Sequence, residues 1–539
     1  MRAEQKADVL VVGGGLGGVA AALAAAAAGH SVILSESQPW LGGQLTAQAV
    51  PLDEHPWSEQ QLGSPSYQRM RAGIRDYYRD HYLLKPEARL LHTLNPGAGN
   101  VSSLCHEPGV AVAVIEQMLA PYTSSGRIWM LRGYEPTAAT VSGDRLDSVT
   151  LRNVGADHAV TVSATVYIDA TELGDLLPLA GIEHVIGAES RDDTGELHAL
   201  ETADPLDQQA VAWSFAIDYF ADENHCIDQP DGYEHWRTIS IPDWPGPQLG
   251  WTVSDHVTHE PRERALFAAP TESVWAWDLW HARRILYAGH HAPDFYGSDI
   301  TLANWPQMDY WGRPLLGVSD EERDLALREA KQVSASFLYW MQTEAPRHDG
   351  GIGYPGLRLR PNVTGTHDGF AMQPYFRESR RIVPEFRVLE QHIGVEARDG
   401  ASAAAKFDDS VGIGAYRIDL HPSTTGRNTV DIDSLPFQIP LGALIPVRVE
   451  NLLAGAKNIG TTRITNGAYR VHPAEWSIGE AAGLTAAHAI ERRMSPRGIR
   501  NTPSEIEDLQ RRMTREGIAL TWPTYSSLVP TTRTGWVAE

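Results

Sequence analysis

Cysteine is nearly absent from this chain of 539 residues, which carries two, Cys105 and Cys226. Two cysteines cannot build the disulfide framework of a small secreted protein, and these two lack the C-x-x-C spacing of a redox motif. No cluster of metal ligands is evident in the sequence. We therefore expect a cytoplasmic protein without a metal site.

Basic charge is also scarce, because 45 Lys and Arg residues face 68 Asp and Glu residues and leave a formal net charge of −23. Such a protein repels nucleic acid and anionic membranes, so neither is expected as a partner. A length of 539 residues exceeds one ordinary domain and predicts two or three. The oligomeric state stays open.

Long apolar runs are missing, with one candidate exception. The stretch from Val9 to Gly29 has no charged residue and is long enough for a membrane helix, which needs about 20 apolar residues. However, five of the six residues from Gly13 to Gly18 are glycine, which disfavours a continuous helix. The charges before the stretch cancel, which argues against a secretion signal. The start of a nucleotide-binding site is the interpretation that remains.

The order of residues in this stretch supports that third interpretation. Asp8–Val12 is a short β-branched run, typical of a buried parallel strand. Leu16–Ala28 consists of strong helix formers, and Gly29 stands where a helix stop is expected. Ser31–Leu34 predicts a second strand, and Glu36 follows it. The pattern is strand, glycine turn, helix, strand and acid.

Each glycine of the G-x-G-x-x-G spacing, and the acid that follows it, has a physical task in dinucleotide binding. Gly13 permits the tight turn, Gly15 lets the backbone approach a pyrophosphate, and Gly18 lets the helix pack close to the strand. The helix N-terminus offers free N–H groups to phosphate oxygens. Glu36 is placed to accept hydrogen bonds from an adenosine ribose. We predict that these four residues bind a dinucleotide.

A glycine pair follows the acidic strand end, in "WLGGQLT". Gly42 and Gly43 suit a loop that passes close to the sugar and phosphates of a cofactor. Together with Gln44 they are predicted cofactor contacts. A plain turn is the alternative for this doublet.

A later segment, "ATVYIDATELGDLLPLAG", predicts a second contribution to the same site. Val166–Ile168 has the composition of a buried strand. Ala170, Thr171 and Asp175 follow it in an order that resembles the A-T-x-x-G-D motif of FAD proteins, and this resemblance implies that they contact the cofactor.

The third contribution comes near the C-terminus, in "IPVRVENLLAGAKNIG" and "YRVHPAEWSIGEAAGLTAAHAI". Asn451–Ala454 predicts a strand, and the residues from Ser477 onward predict a helix. A helix rich in Ala and Gly also serves plain close packing, so that alternative stays open. The predicted cofactor contacts here are Gly455, Asn458, Gly479 and Ala482.

Together the three segments resemble the FAD-dependent oxidoreductases of the glutathione-reductase-like flavoprotein superfamily, and are most similar to a bacterial group described only by that activity. The resemblance implies FAD as the cofactor. It also implies that Ala170, Thr171 and Asp175 return the chain to the cofactor side of the sheet, and that the N-terminus of the helix near Ser477 faces the flavin.

The expected fold class is α/β, with a Rossmann-type FAD-binding domain built from discontinuous segments and an inserted mixed α+β substrate domain. The inserted part is rich in tryptophan, which suits a planar or sugar-like substrate or simply fills a core. Its tryptophans are Trp213, Trp236, Trp244, Trp251, Trp275, Trp277, Trp280, Trp305 and Trp311. The predicted boundaries are 1–190 and 431–492 for the FAD domain, 191–430 for the substrate domain, and 493–539 for a C-terminal helical tail.

Removal of a hydride from a C–H bond next to oxygen or nitrogen also needs a base, and histidine is the usual one. His472, in "YRVHP", is the first candidate, and His421, in "YRIDLHP", is the second. Arg470 is predicted to pair with a reduced flavin or with a substrate carboxylate. Cys105 either packs in the core or carries a covalent flavin bond.

A dense arginine group at Arg377, Arg380 and Arg381 stands out in this acidic chain. It either clamps a carboxylate or phosphate, or begins a helix with paired surface charges, and the second interpretation is favoured.

No second strand–G-x-G-x-x-G–helix unit is found in the sequence, so a dedicated nicotinamide domain is not expected and electrons should leave to O2 or to a separate acceptor. The expected function is an FAD-dependent oxidase or dehydrogenase acting on a small organic molecule. An FAD-dependent monooxygenase that uses NAD(P)H and O2, and a flavin-binding protein without redox turnover, are the alternatives.

Overall fold

The computed structural model describes residues 2–60, 63–239, 244–267 and 278–523. Its α-helices are α1 (Leu16–Ala27), α2 (Pro65–His81), α3 (Pro86–Arg89), α4 (Pro108–Ser124), α5 (Leu176–Leu179), α6 (Arg191–Thr194), α7 (Tyr233–Thr238), α8 (Leu279–Ala282), α9 (Asp320–Thr343), α10 (Pro361–Thr364), α11 (Glu390–Ile393), α12 (Arg463–Tyr469), α13 (His472–Arg492), α14 (Pro496–Asn501) and α15 (Pro503–Arg515).

The strands are β1 (Arg2–Val12), β2 (Val32–Glu36), β3 (Ile128–Arg132), β4 (Tyr134–Ser142), β5 (Arg145–Asn153), β6 (Ala159–Asp169), β7 (His184–Val185), β8 (Val211–Ala212), β9 (Phe215–Tyr219), β10 (Thr252–Ser254), β11 (Pro261–Glu263), β12 (Arg284–Leu286), β13 (Ile300–Ala303), β14 (Asp309–Tyr310), β15 (Leu357–Leu359), β16 (Arg381–Ile382), β17 (Ser410–Gly414), β18 (Ile418–Leu420), β19 (Val430–Ile432), β20 (Phe437–Pro440) and β21 (Leu452–Ala454).

The largest sheet has the order β3-β2-β1-β6-β5-β4, with β21 paired to β6. Four pairings in it are parallel: β3 with β2, β2 with β1, β1 with β6, and β6 with β21. Strand β5 pairs antiparallel with both β4 and β6. The long strand β6 pairs with β1 on one side, and on the other side with β5 near its start and with β21 at its end, so the C-terminal segment joins the sheet beside β6. Because parallel strands end at one edge, their loops meet there.

The predicted first βαβ unit is confirmed, with shifts of a few residues at its boundaries. Strand β1 begins six residues before Asp8, and helix α1 ends one residue before Ala28. Gly29 has φ +101°, the left-handed conformation that ends a helix. Residues 9–12 of β1 are fully buried, as a central parallel strand requires.

The prediction for the C-terminal helix is wrong at its start, because α13 begins at His472 rather than at Ser477. Pro473 occupies the first turn, where a missing N–H costs nothing. Further along, a Cβ atom on Gly479 would overlap the carbonyl oxygen of Gly17. The glycines of α13 therefore bring it close to α1.

The residues between the cofactor segments form a second core. A four-stranded sheet of order β12-β13-β9-β15 packs with the long helix α9 around buried aromatic side chains. The aromatic core contains Trp236, Trp251, Trp280, Trp305 and Trp340. The other inserted tryptophans divide between Trp213, Trp244 and Trp311, which lie in or against buried clusters, and Trp275 and Trp277, which fall outside the described residues.

The C-terminal tail contains α14 and α15, and its residues from 524 onward lie outside the described residues. Thr502 is the N-cap of α15, and its side chain makes no capping hydrogen bond. Glu505, in the first turn of α15, pairs with His488 and Arg492 of α13. Leu509 and Met513 are buried against the body. No helix in the described ranges is long and apolar enough to cross a membrane.

Candidate active site

The glycine turn after β1 packs tightly against the turn after β6. Gly13 has φ +99°, and a Cβ atom there would overlap the backbone of Ala170. A Cβ atom on Gly18 would overlap the carbonyl oxygen of Gly13. The N–H of Ala170 donates to the carbonyl oxygen of Val12 at 2.7 Å. The predicted segments 13–18 and 170–175 therefore lie side by side.

The acidic residue at the end of β2 contacts the glycine turn directly. Oε2 of Glu36 accepts a hydrogen bond from the N–H of Gly14 at 2.8 Å, and its Oε1 accepts one from the N–H of Gln38 at 2.8 Å. Burial raises the pKa of Glu36 to about 7. The carboxylate is thus held at the edge where a ribose hydroxyl could replace a protein donor.

The glycine pair after β2 lies against the same turn. The N–H of Gly42 donates to the carbonyl oxygen of Gly14 at 2.8 Å. Gly42 and Gly43 have φ values of +107° and +50°, which favour glycine. The carboxylate of Glu172 lies against both Gly43 and Gly15, and it pairs with Lys457. The loop and the turn thus form one cradle.

The N-terminus of α1 is capped from another helix. Its N-cap, Gly15, has no side chain, and Oε1 of Glu475 accepts a hydrogen bond from the N–H of Gly17 at 3.2 Å. Gln44 donates through Nε2 to Glu475 and to the carbonyl oxygen of Arg470, the latter at 3.0 Å. A carboxyl oxygen therefore lies at the positive end of the α1 dipole.

The cradle fits a dinucleotide by three criteria. Its glycines leave the backbone open, its helix end attracts anions, and Glu36 suits a ribose. Buried polar atoms beside it also lack hydrogen-bond partners within the described part of the chain: Gln44 Oε1, Gln48 Nε2 and His472 Nε2. Such atoms match the many polar groups of FAD.

The remaining predicted cofactor contacts hold the turns together. Oγ1 of Thr171 donates to Oδ1 of Asp169 at 2.7 Å and accepts from the N–H of Asp175 at 2.6 Å. The N–H of Gly455 and Nδ2 of Asn458 both donate to the carbonyl oxygen of Asp169, at 2.8 and 2.9 Å. Gly479 and the fully buried Ala482 lie in the body of α13. Contact of these residues with the cofactor stays a prediction.

A cavity of about 290 Å³ is lined mainly by inserted residues and also by Asp53, Glu54 and Arg470. Polar and charged side chains dominate its wall. They include Asp53, Arg283, Asn304, Trp305, Tyr375, Arg377, Tyr416, Arg417, Asp419, His421, Asp431 and Arg470. Two of the three predicted catalytic residues, His421 and Arg470, therefore line one cavity.

His421 follows β18 and is held by a buried aspartate. Its Nδ1 lies 2.6 Å from Oδ2 of Asp309, and its Nε2 lies 3.7 Å from Oδ2 of Asp419. Asp309 is fully buried and also pairs with Nη2 of Arg377 at 3.0 Å. A histidine that donates from Nδ1 to a carboxylate keeps the Nε2 lone pair available as a base.

The charges around His421 set its basicity. Burial and the guanidinium of Arg377 act to lower the pKa of His421. The carboxylates of Asp309 and Asp419 outweigh both, so its pKa is raised above the ordinary histidine value. Asp309 itself stays ionised, because Arg377 and His421 outweigh burial and lower its pKa.

Arg470, at the C-terminal end of α12, is buried and anchored on three sides. Its Nη1 donates to the hydroxyl of Tyr375 at 2.6 Å, and its Nη2 donates to the carbonyl oxygen of Asp419 at 3.0 Å. Its carbonyl oxygen accepts from Gln44 at 3.0 Å. Arg470 thus connects the dinucleotide cradle to the cavity.

His472, the first residue of α13, is fully buried and differs from His421 in its tautomer. Its Nδ1 accepts a hydrogen bond from the N–H of Asp53 at 3.0 Å, so the neutral ring carries its proton on Nε2. Burial lowers the pKa of His472 to about 3. The ring is therefore a hydrogen-bond donor at neutral pH.

The structure contradicts the favoured interpretation of Arg377, Arg380 and Arg381 as the start of a helix with paired surface charges. Residues 376–380 form no helix, and Arg377 and Arg381 are buried. Nη1 of Arg377 donates to the carbonyl oxygen of Ala210 at 2.7 Å.

Sequence reasoning missed Asp53, which lines the cavity, and Asp309, which pairs with His421 and Arg377 of its wall. Neither carries a spacing signal, because their contacts are long-range.

Comparison with protein-family models matches residues 8–513 to the family described as FAD dependent oxidoreductase. No curated protein matched the chain. Among solved structures, a geranylgeranyl bacteriochlorophyll reductase-like protein from Thermoplasma acidophilum is 11% identical, with a TM-score of 0.35, over 95% of this chain and 84% of that one. A myxobacterial FAD-dependent chondrochloren halogenase is 16% identical, with a TM-score of 0.23, over 40% of this chain and 44% of that one. At these values neither structure indicates a reaction.

Proposed function

Because the chain belongs to the FAD-dependent oxidoreductase family, it is an enzyme with FAD as its cofactor, and we propose that it oxidises a small alcohol or amine bound in the cavity. The pairing of His421 with Asp309 beside that cavity carries this proposal. We also propose a glutathione-reductase-like FAD domain, which the parallel sheet with its antiparallel β4–β5 extension supports.

The bound FAD supplies an acceptor for the hydride that leaves the substrate carbon. The protein must then take the proton from the substrate oxygen or nitrogen, so that a carbonyl or imine forms. We assign this proton to Nε2 of His421, because Asp309 fixes the tautomer and stabilises the imidazolium that results. This assignment makes His421 the base, whereas the sequence placed His472 first and His421 second.

His472 and Arg470 have other roles in this proposal. Nε2–H of His472 is buried and without a partner among the described residues, so it donates to the cofactor or to the substrate. Arg470 keeps a positive charge between the cradle and the cavity, where it stabilises negative charge that develops during the reaction. The electrons then leave to O2 or to a separate acceptor.

A His421→Gln variant tests the proposal, with His472→Gln as the matched comparison. We expect His421→Gln to keep its FAD absorbance and to lose about 10²- to 10⁴-fold in the rate of anaerobic flavin bleaching by substrate. We expect His472→Gln to shift the flavin absorbance or weaken FAD binding. Unchanged bleaching in His421→Gln would remove His421 as the base.

The same preparation separates the two alternative functions. Consumption of NAD(P)H that depends on substrate, together with oxygen in the product, would indicate a monooxygenase. Bound FAD that no hydroxylated or aminated compound bleaches would indicate a flavin-binding protein without redox turnover.

A further inference from the structure

Among the described residues, the wall of the cavity has more buried hydrogen-bond donors without a partner than acceptors without one. Several of its buried N–H groups have no hydrogen-bond partner within the described residues, namely Arg283 Nη1, Trp305 Nε1, Arg377 Nε and Arg470 Nε. Among the unpartnered acceptors of the same wall is Oδ1 of Asn304. Buried polar groups are normally satisfied, so this wall suits a ligand rich in oxygen acceptors.

Arg283 is a weakly neutralised cationic residue of the wall. Its side chain is 19% exposed, and Nη1 approaches Oδ1 of Asp53 only to 4.0 Å. By contrast, Arg377 pairs with Asp309 at 3.0 Å, and Arg417 pairs closely with Asp431. A guanidinium with a free edge binds a planar carboxylate in two parallel hydrogen bonds.

The acids of the wall do not cancel this positive charge. Burial raises the pKa of Asp53 above its usual value and raises that of Asp431 to about 7, so burial opposes the ionised form of both carboxyl groups. The wall carries six arginines and five acidic residues, an excess of arginine inside a protein whose net charge is −23. An excess of cationic groups in a lining favours anionic ligands.

We propose that the substrate is a small polyhydroxylated carboxylate, such as a sugar acid, whose carboxylate binds Arg283 and whose hydroxyls meet the donors of Trp305, Arg377 and Arg470. The proposal rests on the oxidation proposed for this cavity and names its substrate class. The indole of Trp305 also offers a flat apolar wall for a sugar ring. Oxidation then transfers a hydride from one hydroxylated carbon to FAD, the oxidant, and a proton from the hydroxyl oxygen to His421, so that a carbonyl forms.

Matched pairs of probes test the carboxylate without reliance on turnover. D-glucuronate and D-glucose share one ring and differ at the carboxylate, as do D-galacturonate and D-galactose. We expect calorimetric titration of the FAD-loaded protein to show about 10- to 100-fold tighter binding for each acid than for its neutral partner, the range for a hydrogen-bonded charge. A phosphorylated sugar, D-glucose 6-phosphate, serves as the competing anion.

The Arg283→Met variant should bind each acid as weakly as its neutral partner, and Arg283→Lys should recover part of the difference. Arg152→Met is the matched control, because Arg152 lies on β5 with a side chain 60% exposed. Equal binding of acids and neutral sugars, or unchanged discrimination in Arg283→Met, would overturn the proposal. Tighter binding of D-glucose 6-phosphate than of the sugar acids would overturn the proposal that the ligand is a carboxylate, and would indicate a phosphate ester.

Flavin bleaching by the same probes separates this proposal from the proposed function. Acids that bind through Arg283 but never bleach the flavin would support the anion site and contradict the oxidation. Neutral sugars that bleach the flavin equally well in wild type and Arg283→Met would support the oxidation and contradict the substrate class.

Discussion

Nδ1 of His421 lies 2.6 Å from Oδ2 of Asp309, although 112 positions separate the two residues in the chain. The aspartate precedes the long helix α9 and the histidine follows β18, so folding alone creates the pair. Because Asp309 is buried and ionised, it fixes the ring and raises its basicity.

The first prediction concerns the pH dependence of this pair. A base must be neutral, so kcat/KM of the wild type should fall as the pH drops through the raised pKa of His421. In Asp309→Asn the carboxylate that raises this pKa is gone, so the acid limb should move to lower pH. The maximal rate should also fall about 10²- to 10⁴-fold, because the tautomer is no longer fixed.

Glu505→Gln is the matched control for that variant. It removes a carboxylate 3.3 Å from Nε2 of another histidine, His488, on the far part of α13. Its pH profile should equal that of the wild type. An acid limb that stays in place in Asp309→Asn would show that His421 does not control the rate.

The second prediction concerns FAD affinity. Replacement of Glu36 by Gln should weaken FAD binding about 10- to 100-fold, since hydrogen bonds to a charged group contribute about 1.5–3 kcal/mol. The FAD-free protein should not lose stability at neutral pH, because burial already raises the pKa of Glu36 to about 7. Fluorescence titration with FAD and urea unfolding measure the two effects.

Glu135→Gln, at a side chain 39% exposed on β4, controls for the loss of one negative charge. Equal FAD affinity in Glu36→Gln and wild type would contradict the assignment of Glu36 to the ribose.

The third prediction concerns the contact between α1 and α13. Gly479→Ala should destabilise the protein by about 1–3 kcal/mol, because its Cβ atom would overlap the carbonyl oxygen of Gly17 and force the helices apart. Gly109→Ala is the matched control, since Gly109 is also helical but has open space around it. That change should be neutral or stabilise by up to about 1 kcal/mol. Equal unfolding midpoints in urea for the two variants would contradict close packing at Gly479.

The fourth prediction concerns Cys105. Its side chain is fully buried, and burial raises the pKa of its thiol to about 12. Since the thiolate is the reactive form, Cys105 should carry no flavin bond, and acid precipitation should release the FAD into the supernatant. Iodoacetamide should label the exposed Cys226 long before Cys105. Yellow colour that stays in the pellet but is lost in Cys105→Ala would contradict this.

The cofactor cradle was largely predictable from the sequence. Short-range residue patterns, each of which fits one backbone conformation, mark its three parts: the turn from Gly13 to Gly18, the strand end at Glu36 and the segment after Ile168. The exact start of α13 was not predictable, because "VHP" resembles a loop and the proline at the second position of the helix also permits its first turn.

The sequence by itself determined the first βαβ unit, since glycine spacing, hydrophobic runs and one acid act within about 30 residues. Only the tertiary structure decided which histidine faces a carboxylate and which accepts a backbone N–H, as His421 and His472 do. It also decided that Arg283 lies 4.0 Å from Oδ1 of Asp53, at the long end of an ion pair. Basicity and charge depend on burial and on neighbours distant in the chain, and no local pattern encodes those.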